Sequence, residues 1–202
     1  MIPSGTRFIG IAESVNLVEK KTNGLNSLTQ PYTLDEIRGY KVFTALLTQS
    51  GGDNLQTIDS GSLIIGATYQ NNGNLGDFTN VGAPNNNDST FWIATGVTPN
   101  NWGEGVYYNS GAPVVTVLEN TIGNIWWTYT DIGNYIFNSD GLFTENKILS
   151  FVTPNYGNDY NIIGVGYGDI NSGQITTINI SNLTQASNGL LYNTPIEIRV
   201  YE

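Results

Sequence analysis

The chain has 202 residues, enough to bury a core in one large β domain or two small ones without help from disulfides or metals. It contains no cysteine and no histidine, which removes disulfide frameworks, thiolate zinc sites, cysteine nucleophiles and every mechanism built on an imidazole base. The formal charge of −10 is uneven, since residues 1–41 sum to +1 and residues 42–202 to −11; an acidic body repels phosphate backbones, so nucleic acid is not an expected partner, and the acidity serves the solubility of an Asn-rich surface.

No apolar run reaches the length of a membrane span, and the opening MIPSGTRFIGIAESVNL has neither the basic start nor the apolar stretch of a signal peptide. No membrane partner and no Sec export are expected. The first 40 residues have no regular period. Phe8, Ile9, Ile11, Val15, Leu17, Val18, Leu25 and Leu28 are scattered among polar residues and interrupted by Gly5, Gly10 and Gly24, the pattern of an extended arm. Such side chains need a surface to cover them, either the chain's own body or another protein. The local exception is Thr33-Leu34-Asp35-Glu36, a capping box that would open a short helix stopped by Gly39.

Beyond residue 40, short β-branched and aromatic runs bounded by Gly, Asn, Asp and Pro recur about every ten residues, the spacing of sandwiches and barrels. Strands are predicted over 41–49, 62–70, 90–96, 105–109, 113–120, 124–130, 134–139, 147–153, 161–168, 174–181 and 195–202, so the fold class is all-β. The last run is the clearest, with Ile196, Ile198 and Val200 on one face and Glu197, Arg199 and Tyr201 on the other. Trp126 and Trp127 are adjacent in one strand and must face opposite sides; one belongs to the core, and the other packs on a neighbouring subunit or stays exposed. Trp102, Tyr107 and Tyr108 would form either a platform for a sugar ring or ordinary core and subunit packing.

Paired carboxylates are the one catalytic option left, as in a polysaccharide depolymerase, with Asp131, Asp140, Glu145, Asp159 and Asp169 as candidates. Most sit beside Gly or Asn, where an acid caps a turn. The same hard oxygen ligands would suit calcium, but no calcium-loop motif is present. No catalytic residue, cofactor or metal is expected.

Three stretches resemble sequences that recur in virion structural proteins of tailed bacteriophages, in modular fibre, head-appendage and decoration proteins. TRFIGIAESVNLVEKKTNGLNSLTQPYTLDEI (6–37) is similar to an N-terminal segment placed ahead of many different downstream modules. The resemblance implies an attachment arm that docks on other virion proteins through Arg7, Phe8, Ile9, Ile11, Val15, Leu17, Leu25, Leu28 and Tyr32. GSLIIGATYQNNGNLGDFTNVGAPNNNDSTFWIATGVTPNNWGEG (61–105) resembles a small fibre module, with Asp77, Phe78, Thr79, Gly82, Ala83, Phe91, Ala94, Thr95 and Gly96 at matching positions. It departs at Asp88-Ser89, where a Val-Gly turn is more usual, which leaves that turn's geometry open. YKVFTALLTQSGG (40–52) and SGAPVVTVLENTIGNIWWTYTDIGNYIFNSDGLFTENK (110–147) resemble two halves of a phage domain that elsewhere run directly together.

The expected organisation is an N-terminal arm over 1–40, a jelly-roll-like β-sandwich body over 41–52 and 110–202, and an inserted small β module over 53–109. Replacing the insert with a short turn should then leave a body that folds cooperatively. The resemblance implies a non-enzymatic virion subunit in the head, collar or tail, assembled in the host cytoplasm and exposed on the released particle. By analogy with fibres it implies a homo-oligomer, preferably a homotrimer. The alternatives are a receptor-binding adhesin that grips a host surface glycan through Trp102, Tyr107, Tyr108, Trp126 or Trp127, and a carboxylate depolymerase.

Overall fold

The structure is a computed structural model that describes residues 38–153, 161–179 and 185–201. The arm residues Arg7 to Tyr32, the capping box and Asp159 lie outside the described residues. The chain separates into two units, and the second, Gly39–Glu202, holds every described strand.

Twelve strands follow in order: β1 (Tyr40–Thr48), β2 (Leu55–Ile58), β3 (Thr68–Asn71), β4 (Phe91–Ile93), β5 (Val106–Asn109), β6 (Val114–Asn120), β7 (Ile125–Asp131), β8 (Asn134–Ser139), β9 (Ile148–Val152), β10 (Asn161–Tyr167), β11 (Ser172–Asn179) and β12 (Thr194–Tyr201). They form three antiparallel sheets, ordered β6-β1-β12-β9, β10-β11-β8-β7 and β2-β5-β3-β4. The protein is all-β, and its body is a β-sandwich.

The sandwich follows from the two-residue period. In β12, Ile196, Ile198 and Val200 are buried, opposite Ala45, Phe43 and Lys41 of β1. In the second sheet Tyr135 and Phe137 of β8 lie opposite Tyr129 and Trp127 of β7. The inward side chains of both sheets, Phe43, Leu47 and Ile198 from the first and Trp127, Phe137 and Ile175 from the second, meet in one apolar cluster. Burying each such side chain stabilises the fold by about 1.5–3 kcal/mol.

Residues 55–109 supply the whole third sheet. It has its own apolar cluster, built on Leu63, Tyr69, Phe78, Val81, Trp92 and Val106. The strands on either side of it, β1 and β6, pair with each other from Thr48–Val114 to Phe43–Asn120. The two connecting segments also meet. The Ser110 hydroxyl donates to the Gly52 carbonyl at 3.0 Å, and a Cβ on Gly51 would stand 2.1 Å from the Ser110 carbonyl oxygen, so only glycine fits there.

Two expectations change. The run predicted over 62–70 is strand only from Thr68 to Asn71. Gly66 takes a left-handed backbone with φ +84, which ends the extended run and leaves Ile64 and Ile65 exposed on a turn. The strand Leu55–Ile58 was not anticipated, because its first three residues are exposed and carry no apolar alternation.

Candidate functional site

The two faces of the third sheet do different work. Tyr69, Asn71, Trp92, Val106 and Tyr108 face its own cluster, whereas Thr68, Gln70, Phe91, Ile93, Tyr107 and Asn109 alternate with them on the other side. That second face meets β7. Phe91 stacks on Trp126 with ring centroids 5.6 Å apart and planes 5° from parallel. Ile93 joins the sandwich cluster, and the Asn124 amide donates to the Phe91 carbonyl at 2.9 Å.

The seam also closes the outer edges of two sheets. β6 and β7 are edge strands, and an open edge invites pairing with other chains. Here the Val115 amide donates to the Gly66 carbonyl at 2.8 Å, and the Trp127 amide donates to the Thr68 hydroxyl at 3.1 Å. Gly66 is glycine for a second reason, since a Cβ would stand 2.2 Å from the Val115 carbonyl oxygen.

The tryptophan pair therefore resolves differently from the expectation. Trp127 is fully buried in the sandwich, 5.5 Å from Phe137. Trp126, on the opposite face, is 9% exposed because the insert of the same chain covers it, and no neighbouring subunit is needed to do so. The indole N–H of Trp127 is buried with no hydrogen-bond partner among the described residues. Of the other aromatic candidates, Trp102 lies edge-on to Phe78 at 6.1 Å and Tyr108 packs 5.3 Å from Tyr69. Both belong to the wall of the insert's own cluster. Tyr107 turns the other way.

Tyr107 lines a cleft of about 160 Å³ between the third sheet and β7, together with Leu55, Gln70, Phe91 and Asn109 on one side and Thr128 and Tyr129 on the other. The sheets are joined where β4 meets β7 and part toward β2. Asn109 is held by its neighbours, since its side-chain carbonyl accepts the Asn54 and Gly111 backbone amides and its side-chain amide donates to Asp53. The Gln70 amide and the Tyr107 hydroxyl hydrogen-bond to no described residue. The period of two places Gln70, Tyr107 and Asn109 on one face, yet the cleft could not be read from the sequence, because its other wall is fixed by the docking of the insert.

Of the carboxylate candidates, Asp131 and Asp169 cap turns. Asp169 accepts the Asn171 amide at 2.7 Å and the Ser172 amide at 2.8 Å; the Asn171 bond first, with the Ser172 hydroxyl and amide, holds its carboxyl below the ordinary value. A general acid needs the opposite shift. Asp131 accepts the Ile132 amide at 2.7 Å, Asp140 accepts the Asn124 amide at 3.4 Å, and Glu145 is exposed. No three carboxylates among the described residues are grouped to hold a cation.

Polar side chains of residues 53–109 hold the loops of the third sheet in place. Asp77 accepts the Thr79 hydroxyl at 2.7 Å, the Thr79 amide at 3.2 Å, Asn86 at 3.1 Å and Asn100 at 3.0 Å. The Thr79 hydroxyl and Asn100 lead in lowering its pKa to about 2. Buried Asn71 accepts the Trp92 indole N–H at 2.8 Å and donates to the carbonyls of Asn85 and Asn87. At the Asp88-Ser89 turn, Ser89 adopts φ 62, in the left-handed region that favours glycine. Asp88 supports that turn by accepting the Gly73 amide at 2.8 Å. In the sandwich, Gln49 is buried beside the insert's base, bonded to the Gly51 carbonyl and the Gly189 amide.

Compared with known proteins, the chain matches no family, no curated protein and no solved structure.

Proposed function

We propose that the chain is a structural subunit of a tailed-bacteriophage particle, a fibre, appendage or decoration protein that docks on other virion proteins through residues 1–40 and presents the β body. It is not an enzyme on this reading. The observation that carries the proposal is the way the third sheet is spliced into the sandwich. The halves that resemble one uninterrupted phage domain form the paired strands β1 and β6, and the segment that resembles a fibre module sits between them on connectors that touch. Assembly from exchangeable modules in this manner fits a particle surface, and the turn-capping roles of Asp77, Asp131 and Asp169 fit a scaffold. The resemblance of residues 6–37 to a shared N-terminal segment supports docking by the arm.

The test is a chain lacking residues 1–31, supplied to particles that lack the full-length protein. The truncated chain should fold with the β-type circular dichroism of the parent and fail to enter particles. Full occupancy without the arm would refute arm-mediated docking.

A further inference from the structure

The cleft between the third sheet and β7 has a chemistry of its own. None of its lining side chains is charged, in a segment, residues 42–202, that carries a net −11. One wall offers the rings of Phe91 and Tyr107 and the other that of Tyr129, all half-buried. Between them stand polar groups with unused capacity. The Gln70 amide and the Tyr107 hydroxyl have no described partner. The Thr128 hydroxyl accepts the Asn138 amide at 3.1 Å, which leaves its own proton to donate.

We propose that this cleft binds one ring of a neutral saccharide. Aromatic faces suit the apolar C–H face of a pyranose, and a hydroxyl-rich edge needs paired donors and acceptors such as an amide and two hydroxyls. The acidic surroundings disfavour an anionic sugar. The volume is small beside the roughly 300–1,000 Å³ of pockets for drug-sized ligands, which limits the occupant to a single ring, terminal or within a chain. The rigid Phe91–Trp126 stack at the closed end fixes the spacing of the two walls, so the site is formed before the ligand arrives. Leu55, 67% exposed at the open end, lies where the next ring of a longer glycan would pass. The inference stands on the cleft alone and holds whether or not the chain belongs to a virion.

The experiment is saturation-transfer NMR on the full chain with the methyl glycosides of glucose, galactose, mannose and N-acetylglucosamine, and with N-acetylneuraminic acid as the charged comparison. Each is used at about 10 mM, above the ~1 mM dissociation constant of a one-ring contact. At least one neutral glycoside should receive saturation, and its affinity should fall about tenfold or more in Tyr107→Ala and in Gln70→Ala while Tyr192→Ser, an exposed aromatic outside the cleft, keeps it. If Tyr107→Ala does not fold, Gln70→Ala decides the matter, because that side chain carries no internal bond. Saturation of no neutral glycoside, saturation of N-acetylneuraminic acid alone, or unchanged binding in folded cleft variants overturns the proposal.

Discussion

Phe91 and Trp126 join the insert to the sandwich, and removing them one at a time measures how strongly the two are coupled. Trp126 is 9% exposed, so Trp126→Ala should cost about 3–5 kcal/mol, the range for a buried tryptophan. Phe91 is only half-buried, and Phe91→Ala should cost about 2 kcal/mol, roughly half the full-core value. The rings lie 5.6 Å apart and nearly parallel. Their mutual term should therefore be about 0.5–1.5 kcal/mol, and the double variant should be less destabilised than the sum of the singles by that amount. Urea unfolding followed by tryptophan fluorescence and by far-ultraviolet circular dichroism provides the assay. Because Ile93 of the insert sits in the same cluster as Phe43 and Phe137, both probes should report one transition in all four proteins. A coupling within ~0.3 kcal/mol of zero, or an insert that melts separately while the sandwich midpoint stays fixed, would refute the view that the seam is part of one cooperative core.

Replacing residues 53–109 by a short Gly/Ser turn should give a sandwich that still pairs β1 with β6 but is about 3–6 kcal/mol less stable, since Trp126 loses its cover and Ile93 is gone. Its Trp126 emission should shift to the red and its open β6 and β7 edges should promote association, both visible by fluorescence and size-exclusion chromatography. Ser89→Gly should raise stability by about 0.5–1 kcal/mol in the same urea assay, because the residue has φ 62. In acid, Asp77 contributes stability that is present above its ordinary pKa of 3.8 and lost as pH falls toward about 2, so Asp77→Asn should flatten the acid limb of a stability–pH curve. In alkali, burial pushes the Tyr135 hydroxyl up to about 12, so its contribution is present below pH 10 and lost as pH rises through about 12, a loss that Tyr135→Phe should reduce.

The strands with strong alternation were legible in the sequence. β12 and β8 each bury every second residue, and the pattern of Ile196, Ile198 and Val200 fixes both the strand and its inward face. Where the sequence misled, a single backbone position was responsible. Leu63, Ile64 and Ile65 read as strand, but Gly66 turns the chain so that its carbonyl reaches β6. β2 was silent because Leu55, Gln56 and Thr57 are exposed and only Ile58 is half-buried, which leaves no apolar alternation to read. The adjacent tryptophans face opposite ways, as the period of two requires, but the cover over Trp126 comes from the distant strand β4, in Phe91 and its neighbours, and the Phe91 carbonyl also meets Asn124, 33 residues on. Docking between two sheets of one chain depends on long-range geometry that no local period encodes. The cleft was hidden for the same reason: Tyr107 was singled out with Tyr108, yet the alternation of β5 sends one into the insert's cluster and the other into the seam.

The proposal that the chain is a virion subunit is tested most directly by quantitative mass spectrometry of salt-washed particles released by cells that express it from its native replicon, paired with immunogold labelling against the β body. A virion subunit should be retained in a fixed number of copies per particle, with label on the particle surface. A chain that is abundant in the infected-cell lysate but absent from washed particles would contradict it.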